Sequence, residues 1–313
     1  MEMVNILATL LISTSTILIF QKIFISKNYI DKIIGRSSHN TIATRSGGLS
    51  IYISIFLVSS FYYVSGYTMF DYSIIVPLSL LMFIGLYDDI NNIDFKLKFI
   101  FQIIAAKIII DNGLIIDNFH GLFGIFELGR IAAQVFTIFI VVAIINSINF
   151  IDGIDGLAIS VIILFIALFE FFSNQITPFK NFSIILVASL LPMYYFNFKN
   201  KKKVFLGDSG SLFLGGVISI YVIYILSNNY IIKPVYDIHK IAFVISILLY
   251  PIVDIIRVFI IRVSNSKSPF IADKNHIHHL LLKKFQNHFL VVILIILISL
   301  LLLIASQLIN KIL

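Results

Sequence analysis

The sequence predicts an all-α fold, a polytopic bundle of about ten transmembrane helices that forms one integral membrane domain over residues 1–313. Hydrophobic residues make up 59% of the chain and charged residues only 12%, and the mean hydropathy is +1.02. The apolar runs are longer than the helices of a soluble core usually need. About ten spans of roughly 20 residues, joined by short loops, leave no room for a separate soluble domain in 313 residues.

Each predicted helix is an apolar run that ends at polar residues. The first run, from about Ile6 to Phe24, lacks a basic leader and a small-residue cleavage site, so we expect a retained helix and not a removed signal peptide. In chain order, the predicted spans are 5–25, 47–65, 73–88, 97–111, 131–148, 157–173, 181–198, 209–227, 241–262 and 289–309.

Basic residues are concentrated in alternate loops. Loops 26–46, 89–96, 149–156, 199–208 and 263–288 together carry 13 Lys or Arg, whereas the opposite set, termini included, carries five. The positive-inside rule then predicts that the first set faces the cytoplasm and that both termini lie on the outer face. This orientation explains the net charge of +7 better than nucleic-acid binding does, so the expected surroundings are a lipid bilayer.

Two adjacent acids, Asp88 and Asp89, end the third span, and Lys96 and Lys98 follow shortly after them. Neighbouring carboxylates repel each other unless a cation lies close, so a divalent metal ion or a lysine would explain the pair. The alternative is a solvated helix end, with Lys96 as an anchor at the membrane interface. Because the chain has no cysteine, the chemistry of any site depends on oxygen and imidazole groups.

The run from Asn146 to Gly156 places Asp152 and Asp155 between two long apolar stretches. A buried acid is costly unless it is paired or holds a metal ion, so these acids indicate a site. Asn149 adds an amide oxygen, and Gly153 lets the backbone approach a ligand closely. The alternative, a plain turn, would be unusually rich in acids at membrane depth.

The motif Gly207-Asp208-Ser209-Gly210-Ser211 leads into an apolar helix. Small residues at a helix N-terminus expose backbone N–H groups, which suit phosphate, and the Asp208 carboxylate suits the Mg²⁺ that accompanies phosphate. The alternative is an ordinary N-cap formed by Asp or Ser.

Three histidines, His276, His278 and His279, lie within four residues of the last internal loop. They lack a His-x-x-x-His spacing and a nearby thiol, so we interpret them as phosphate or base contacts and not as a zinc site. Asp254 and Arg257, three residues apart on one helix, are expected to form a structural pair.

In order and spacing, these motifs resemble those of the polyprenyl-phosphate N-acetylhexosamine-1-phosphate transferases, glycosyltransferase family 4. The resemblance runs from about Asp31 to Leu282 and adds His39, Arg45-Ser-Gly-Gly48 and the segment from Ser268 to Asp273. Within the family, His-Ile-His-His resembles the branch that transfers N-acetylglucosamine-1-phosphate or a related sugar. The muramoyl-pentapeptide transferases tend to have three consecutive histidines followed by Phe-Glu.

The resemblance implies an activity and a set of residues. A UDP-sugar would transfer its sugar-1-phosphate to undecaprenyl phosphate, with Mg²⁺ (or Mn²⁺ as a substitute), at the cytoplasmic face of the bacterial inner membrane, releasing UMP and starting a cell-surface glycan. The resemblance is also compatible with a homodimer. The implied metal ligands are Asn149 and Asp208. The implied catalytic residues are Asp88, Asp89, Lys96, Asp152 and Asp155. The implied substrate-binding residues are His39, Arg45, Asn146, Arg262, His276, His278 and His279.

Three alternatives stay open at this point. The first is a phospho-N-acetylmuramoyl-pentapeptide transferase of peptidoglycan synthesis. The second is a transporter that uses intramembrane acids as a cation path, which would spread the acids through the membrane depth, whereas these acids lie on one predicted face. The third is a catalytically inactive partner in glycan assembly, which would require the loss of an acid. For an enzyme, direct attack by the acceptor phosphate is favoured over an aspartyl-phosphate intermediate, because the acceptor is largely ionised at neutral pH.

Overall fold

The computed structural model describes residues 2–31, 42–67, 69–199, 201–236, 238–266 and 275–312. Eleven α-helices and two short strands lie within these residues, which confirms the all-α class. The helices are α1 Glu2–Ser26, α2 Gly47–Val64, α3 Ile75–Asn91, α4 Phe95–Asp111, α5 Arg130–Ile151, α6 Leu157–Phe172, α7 Lys180–Phe198, α8 Gly207–Leu226, α9 Lys240–Ser264, α10 Ile277–Phe285 and α11 His288–Ile312. The strands are β1 Ala43–Thr44 and β2 Lys203–Val204.

Each of the ten predicted spans corresponds to a helix, and eight helices in the described part of the chain are long and apolar enough to cross a membrane. The other two are α4, whose 17 residues include three lysines, and α6, whose 16 residues extend only about 24 Å at 1.5 Å per residue. The multi-pass membrane fold is confirmed, and the outward placement of the termini stays a prediction. The sequence does not predict α10, because nine residues rich in histidine and lysine form no apolar run.

The chain divides into two compact units. The first contains Met1–Phe101 and Pro178–Leu214, and the second contains Gln102–Thr177 and Gly215–Leu313. The division passes through α4 and α8. The prediction of a single domain over 1–313 stays a prediction, and each unit is described by itself.

In the first unit, α1 packs against α2 and α7, and α2 packs against α3. The buried face of α1 carries Ser13 and Thr16, whereas Leu7 and Leu11 are exposed. The Ser13 hydroxyl donates to the carbonyl oxygen of Ser189 on α7 at 2.8 Å. Small polar residues inside and apolar residues outside are typical of helices that pack within a lipid bilayer.

The two strands place the start of α2 beside the segment that leads into α8. β1 and β2 pair in parallel, with Ala43 opposite Lys203. Beyond the strands, the N–H of Gly47 donates to the carbonyl oxygen of Phe205 at 3.0 Å, and the N–H of Gly48 donates to that of Leu206 at 2.8 Å. The backbone just before α8 is therefore held along its length by hydrogen bonds.

In the second unit, α5 packs against α6 and α9, and α11 packs against α6, α9 and α10. A Cβ atom at Gly215 on α8 would lie 2.7 Å from the Cα atom of Ile145 on α5. Only glycine permits so close a contact between the two helices. Within α8, 94% of the span is buried, as expected of a helix that is apolar on all sides.

Candidate active site

A short turn after α3 returns the chain to the acids that end this helix. Asn92 adopts the left-handed conformation, with φ of 52°, and the N–H of Ile93 donates to Oδ1 of Asp88 at 2.9 Å. On α4, the Nζ atom of Lys98 then lies 3.2 Å from Oδ2 of Asp88 and 2.8 Å from Oδ2 of Asp208. One ammonium group therefore joins two carboxylates that would otherwise repel each other. We refer to Asp88, Asp89, Lys98 and Asp208 as the acid–lysine cluster.

Asp89 has a different environment from that of Asp88. Its Oδ1 accepts the backbone N–H of Asp208, and its Oδ2 accepts that of Ser209, both at 2.9 Å. A Cβ atom at Gly207 would lie 2.6 Å from Oδ2 of Asp89, and one at Gly85, a turn earlier on α3, would lie 2.4 Å from the carbonyl oxygen of Asp208. The two glycines thus let α3 approach the first turn of α8 closely enough for Asp89 to cap it.

This geometry corrects the expectation that the N-terminus of α8 binds phosphate. Asp89 accepts two of the first backbone N–H groups, and a Cβ atom at Gly48 would lie only 2.0 Å from the backbone nitrogen of Gly210. A carboxylate at the positive end of a helix is favourable, so the protein supplies its own anion at this position. The carboxylate of Asp208 is turned instead to Lys98.

Arg45 contributes positive charge to the first unit. Its Nη2 atom lies 2.6 Å from Oδ1 of Asp31, and its side chain is 36% exposed. Burial lowers the pKa of Arg45, but the negative charges of Asp31, Asp89 and Asp208 outweigh burial and raise the pKa above its ordinary value. The guanidinium is therefore held in its charged form by the acids of this unit.

Lys96 and His39 were also predicted from the sequence. Lys96 is exposed, and its backbone N–H donates to Oδ1 of Asp94 at 3.2 Å. Residues two apart on a helix point about 200° apart, so Lys96 and Lys98 cannot face the same acids. His39 and the segment from Ser268 to Asp273 lie outside the described residues.

In the second unit, the turn between α5 and α6 carries Asp152 and Asp155. The backbone N–H of Asp152 donates to the carbonyl oxygen of Asn149 at 3.3 Å, and both side chains are partly buried. Asp155 is only 6% exposed, and its backbone N–H donates to Nδ1 of His288 at 3.1 Å. Gly156 ends the turn in the left-handed conformation, with φ of 76°. The start of α11 therefore holds this acidic turn in place.

Asn146 lies one and a half turns before the acidic turn. Its Nδ2 donates to Oε1 of Gln102 at 2.6 Å and to the carbonyl oxygen of Val142 at 2.8 Å. The side-chain amide of Asn146 is thus held by α4 and by its own helix.

Residues of α9 orient the histidines at the start of α10. The Nδ1 atom of His276 lies 2.7 Å from Oδ2 of Asp254, whose Oδ1 accepts the backbone N–H of Ile277 at 2.7 Å. One turn earlier, the hydroxyl of Tyr250 lies 2.8 Å from Nδ1 of His278. We refer to Tyr250, Asp254, His276, His278 and His279 as the histidine network.

The histidine network corrects the predicted pair of Asp254 with Arg257, and it locates the guanidinium group of Arg262. Asp254 contacts His276 instead of Arg257, whose Nη1 donates to the carbonyl oxygen of Asn275. Arg262 is only 3% exposed. Its Nη2 lies 3.4 Å from Nε2 of His276, and its guanidinium carbon lies 5.9 Å from the ring centroid of Phe150.

Two histidine rings pack on the acidic turn. A Cβ atom at Gly153 would lie 2.6 Å from Nε2 of His278 and 3.1 Å from Nε2 of His279. Burial, together with the neighbouring His279 and His276, lowers the pKa of His278 well below 6.5. His278 is therefore a neutral, fully buried group, whereas His279 keeps part of its surface exposed.

Sequence reasoning placed Lys98 near the acid pair but chose Lys96 as the site residue, and it assigned no role to Gln102, Tyr250 or His288. One signal was present, because Lys98 falls inside the predicted span 97–111, and a charged residue at membrane depth indicates a functional partner. Tyr250 and Asp254 are four residues apart within the predicted span 241–262, so they share a helix face. Their histidine partners could not be found from helix periodicity.

The fold and these groups define a class: a multi-pass helical membrane protein whose units carry paired acids and oriented histidines at helix ends. Residues 71–226 match the family model described as glycosyl transferase family 4. The chain belongs to this family, as the sequence motifs predicted.

Named relatives match most of the chain. A Bacillus subtilis (strain 168) protein, named "Probable undecaprenyl-phosphate N-acetylglucosaminyl 1-phosphate transferase", is 34% identical over 90% of this chain and 78% of its own length. The undecaprenyl-phosphate alpha-N-acetylglucosaminyl 1-phosphate transferase of Pasteurella multocida (strain Pm70) is 32% identical over 90% of this chain and 79% of its own. The protein of the same name from Salmonella typhi is 28% identical over 89% and 76%.

Proposed function

We propose that this protein transfers N-acetylglucosamine-1-phosphate from a UDP-sugar to undecaprenyl phosphate at the cytoplasmic face of the bacterial inner membrane. The names of the relatives support the sugar and the acceptor. The observation that carries the proposal is the contact of Lys98 with both Asp88 and Asp208. A cation held by two acids at helix ends can receive the phosphate group of a lipid whose chain lies in the bilayer.

The reaction needs alignment of two phosphates and screening of their charge more than a strong base. A phosphate monoester has a second pKa near 6, so the acceptor is largely dianionic at neutral pH. An acceptor oxygen attacks the β-phosphorus of the donor, a new P–O bond forms, and the bond to the bridging oxygen breaks, so that UMP leaves. Lys98 lowers the repulsion that the incoming phosphate meets.

The surroundings of the adjacent acids support direct attack. Both carboxylate oxygens of Asp89 accept backbone N–H groups of α8. The two oxygens of Asp88 contact the N–H of Ile93 and the ammonium of Lys98. A carboxylate whose oxygens are engaged in this way is a poor nucleophile, which disfavours an aspartyl-phosphate intermediate. We assign Asp89 a positioning role and Asp88 a role in orienting Lys98.

The acid–lysine cluster also fits Mg²⁺. Oδ2 atoms of Asp88 and Asp208 already converge on one cation, the ammonium of Lys98. The described residues contain no group of three or more His, Cys, Asp or Glu that could hold a metal ion, and Mg²⁺ in proteins is commonly held by one or two carboxylates together with water and substrate phosphates. Bound there, Mg²⁺ would neutralise charge that develops on the diphosphate. Asp208 is the proposed Mg²⁺ ligand of this cluster, and the metal-ligand role of Asn149, in the second unit, stays a prediction from the sequence.

In the second unit, we assign donor binding to the exposed part of the histidine network and to the acidic turn. His279 has exposed ring surface, and Asp152 is partly buried beside Gly153. The buried His276 and His278 orient α10 against this turn. These residues support recognition of the UDP-sugar, with Arg262 as the buried positive charge behind them.

The test is UMP release by purified protein with undecaprenyl phosphate, Mg²⁺ and, separately, UDP-N-acetylglucosamine, UDP-N-acetylgalactosamine and UDP-N-acetylmuramoyl-pentapeptide. We expect release with UDP-N-acetylglucosamine and its loss with EDTA. Release only with the pentapeptide donor would reject the proposed sugar. Release that EDTA leaves unchanged would reject the metal assignment.

Two lysines provide a matched pair of variants. Lys98→Ala should lower the rate at least about a hundredfold, since it leaves two carboxylates facing the phosphate, whereas Lys96→Ala should keep most of it. The reverse result would favour the role that the sequence predicted for Lys96 and reject the one proposed for Lys98.

A further inference from the structure

The segment between α4 and α5 folds into a small hairpin. Asn118 and Glu127 form an antiparallel bridge, and the N–H of Phe119 donates to the carbonyl oxygen of Phe126 at 2.8 Å. Inside it, the N–H of Gly121 donates to the carbonyl oxygen of Ile125 at 3.0 Å. These hydrogen bonds show that residues 118–127 form an ordered element, which we call the 118–127 hairpin.

The tip of this hairpin is apolar and uncovered by the described residues. Phe123 is 89% exposed, Phe126 is 64% exposed and Ile125 is 41% exposed. Phe123 also adopts a left-handed conformation, with φ of 56°, which bulky residues rarely do. The chain therefore holds an aromatic ring outward in a conformation that is unfavourable by itself, and the exposed apolar tip is typical of an interaction surface.

The base of the hairpin is fixed to the ends of neighbouring helices of the second unit. Nε2 of His120 donates to the carbonyl oxygen of Leu226 at 2.7 Å, and Nε2 of His239 donates to the carbonyl oxygen of His120 at 3.0 Å. The N–H of Ile116 donates to the hydroxyl of Thr137 on α5 at 2.9 Å. Leu226 ends α8 and His239 precedes α9, so the hairpin lies where three candidate spans begin or end.

The apolar tip leads directly into a span with an exposed apolar face. On α5, Ile131, Val135 and Phe139 are 81%, 63% and 66% exposed, and their spacing of four places them on one face of the helix. The charged residues around the hairpin lie outside its tip, with Asp117 just before the hairpin and Glu127 and Arg130 after the tip. Along the chain, the apolar tip is followed by charged residues and then by the exposed apolar face of α5. This order is typical of a segment at the boundary of a bilayer.

We propose that the tip of the 118–127 hairpin inserts into the hydrocarbon–headgroup boundary of the membrane that contains the second unit. The partner is phospholipid, because the tip offers apolar surface without charge and continues the exposed face of α5. The hairpin then anchors the ends of α8 and α9 through His120. This inference does not depend on the proposed transferase activity.

The chain has no tryptophan, so Phe123→Trp creates a single fluorescent reporter in the full-length protein. The matched control is Asn229→Trp, in an exposed polar loop of the same unit. Both variants are reconstituted into phosphatidylcholine–phosphatidylglycerol vesicles with brominated acyl chains, and into unlabelled vesicles with iodide on both sides. We expect bromine to quench the Trp at 123 at least about twofold more than the Trp at 229, and iodide to do the reverse.

Two results would overturn the proposal. One is strong iodide quenching of the Trp at 123 with no bromine quenching, which would place the tip in water. The other is bromine quenching that appears only when the protein is diluted in lipid, because a second copy would then cover the tip at ordinary density. Phe126→Trp serves as a second reporter if the first variant fails to fold, and the same criteria apply to it.

Discussion

The carboxylate of Asp89 accepts the backbone N–H of Asp208 at 2.9 Å. Asp89 therefore caps α8, the helix that carries Asp208. Its neighbour Asp88 contacts Lys98, which also contacts Asp208. Consecutive residues on a helix point about 100° apart, so two neighbouring acids can serve two partners. Asp89 therefore holds the backbone of Asp208, and Asp88 orients the lysine that contacts the side chain of Asp208.

The first prediction concerns this cap. Asp89→Asn keeps the shape of the side chain but offers one acceptor oxygen, so one N–H of α8 loses its partner at a cost of roughly 1–3 kcal/mol. We expect a lower unfolding temperature and a drop of at least about tenfold in the rate of UMP release. The control is Asp94→Asn, which changes an exposed acid just before α4. It should change the unfolding temperature and the rate of UMP release much less. Equal effects of the two variants would remove the positioning role from Asp89.

The second prediction concerns the contact between Gly153 and the histidines. Gly153→Ala would place a methyl group 2.6 Å from Nε2 of a buried His278, and such overpacking costs roughly 1–3 kcal/mol. Gly129→Ala is the matched control, because nothing lies within 4 Å of its added Cβ atom. Thermal unfolding should separate the two variants, and indistinguishable melting curves would mean that α10 does not pack on this turn.

The third prediction separates Asp254 from Arg257 on the same helix. Asp254 is fully buried and contacts both His276 and the N–H of Ile277, so Asp254→Ala should cost about 3 kcal/mol or more in unfolding free energy. Arg257→Ala removes one exposed hydrogen bond and should cost much less. We also expect Asp254→Asn to raise the KM for the UDP-sugar more than it lowers kcat. A change in kcat without a change in KM would mean that Asp254 does not contribute to binding of the UDP-sugar.

The fourth prediction is a pH dependence. The pKa of His278 is lowered in the folded protein, so the unfolded chain binds its proton more readily, and the unfolding free energy decreases as the pH falls below about 6.5. Above this pH, His278 is neutral in both the folded and the unfolded protein, so it no longer makes the unfolding free energy depend on pH. His278→Gln should reduce the loss of unfolding temperature between about pH 7.5 and about pH 5.5. His279→Gln is the comparison, and an unchanged loss in the His278 variant would assign the effect to another group.

Much of this protein is determined by local sequence. Ten apolar runs predict ten helices within a few residues, because hydropathy is a property of consecutive side chains. Motif order was enough to identify the family. The acids were also found from sequence, since Asp88, Asp152 and Asp208 stand out where a membrane protein rarely places charge.

The tertiary structure decided which groups meet. It selected Lys98 as the partner of the acids, turned Asp89 into a cap for a helix 120 residues away, and gave Asp254 to His276 instead of Arg257. No local pattern contains these pairings, because they depend on how distant segments pack, with Gly85, Gly153 and Gly207 allowing backbones and rings to approach closely. Helix periodicity assigns a residue to a face, and only packing of the helices determines what that face contacts.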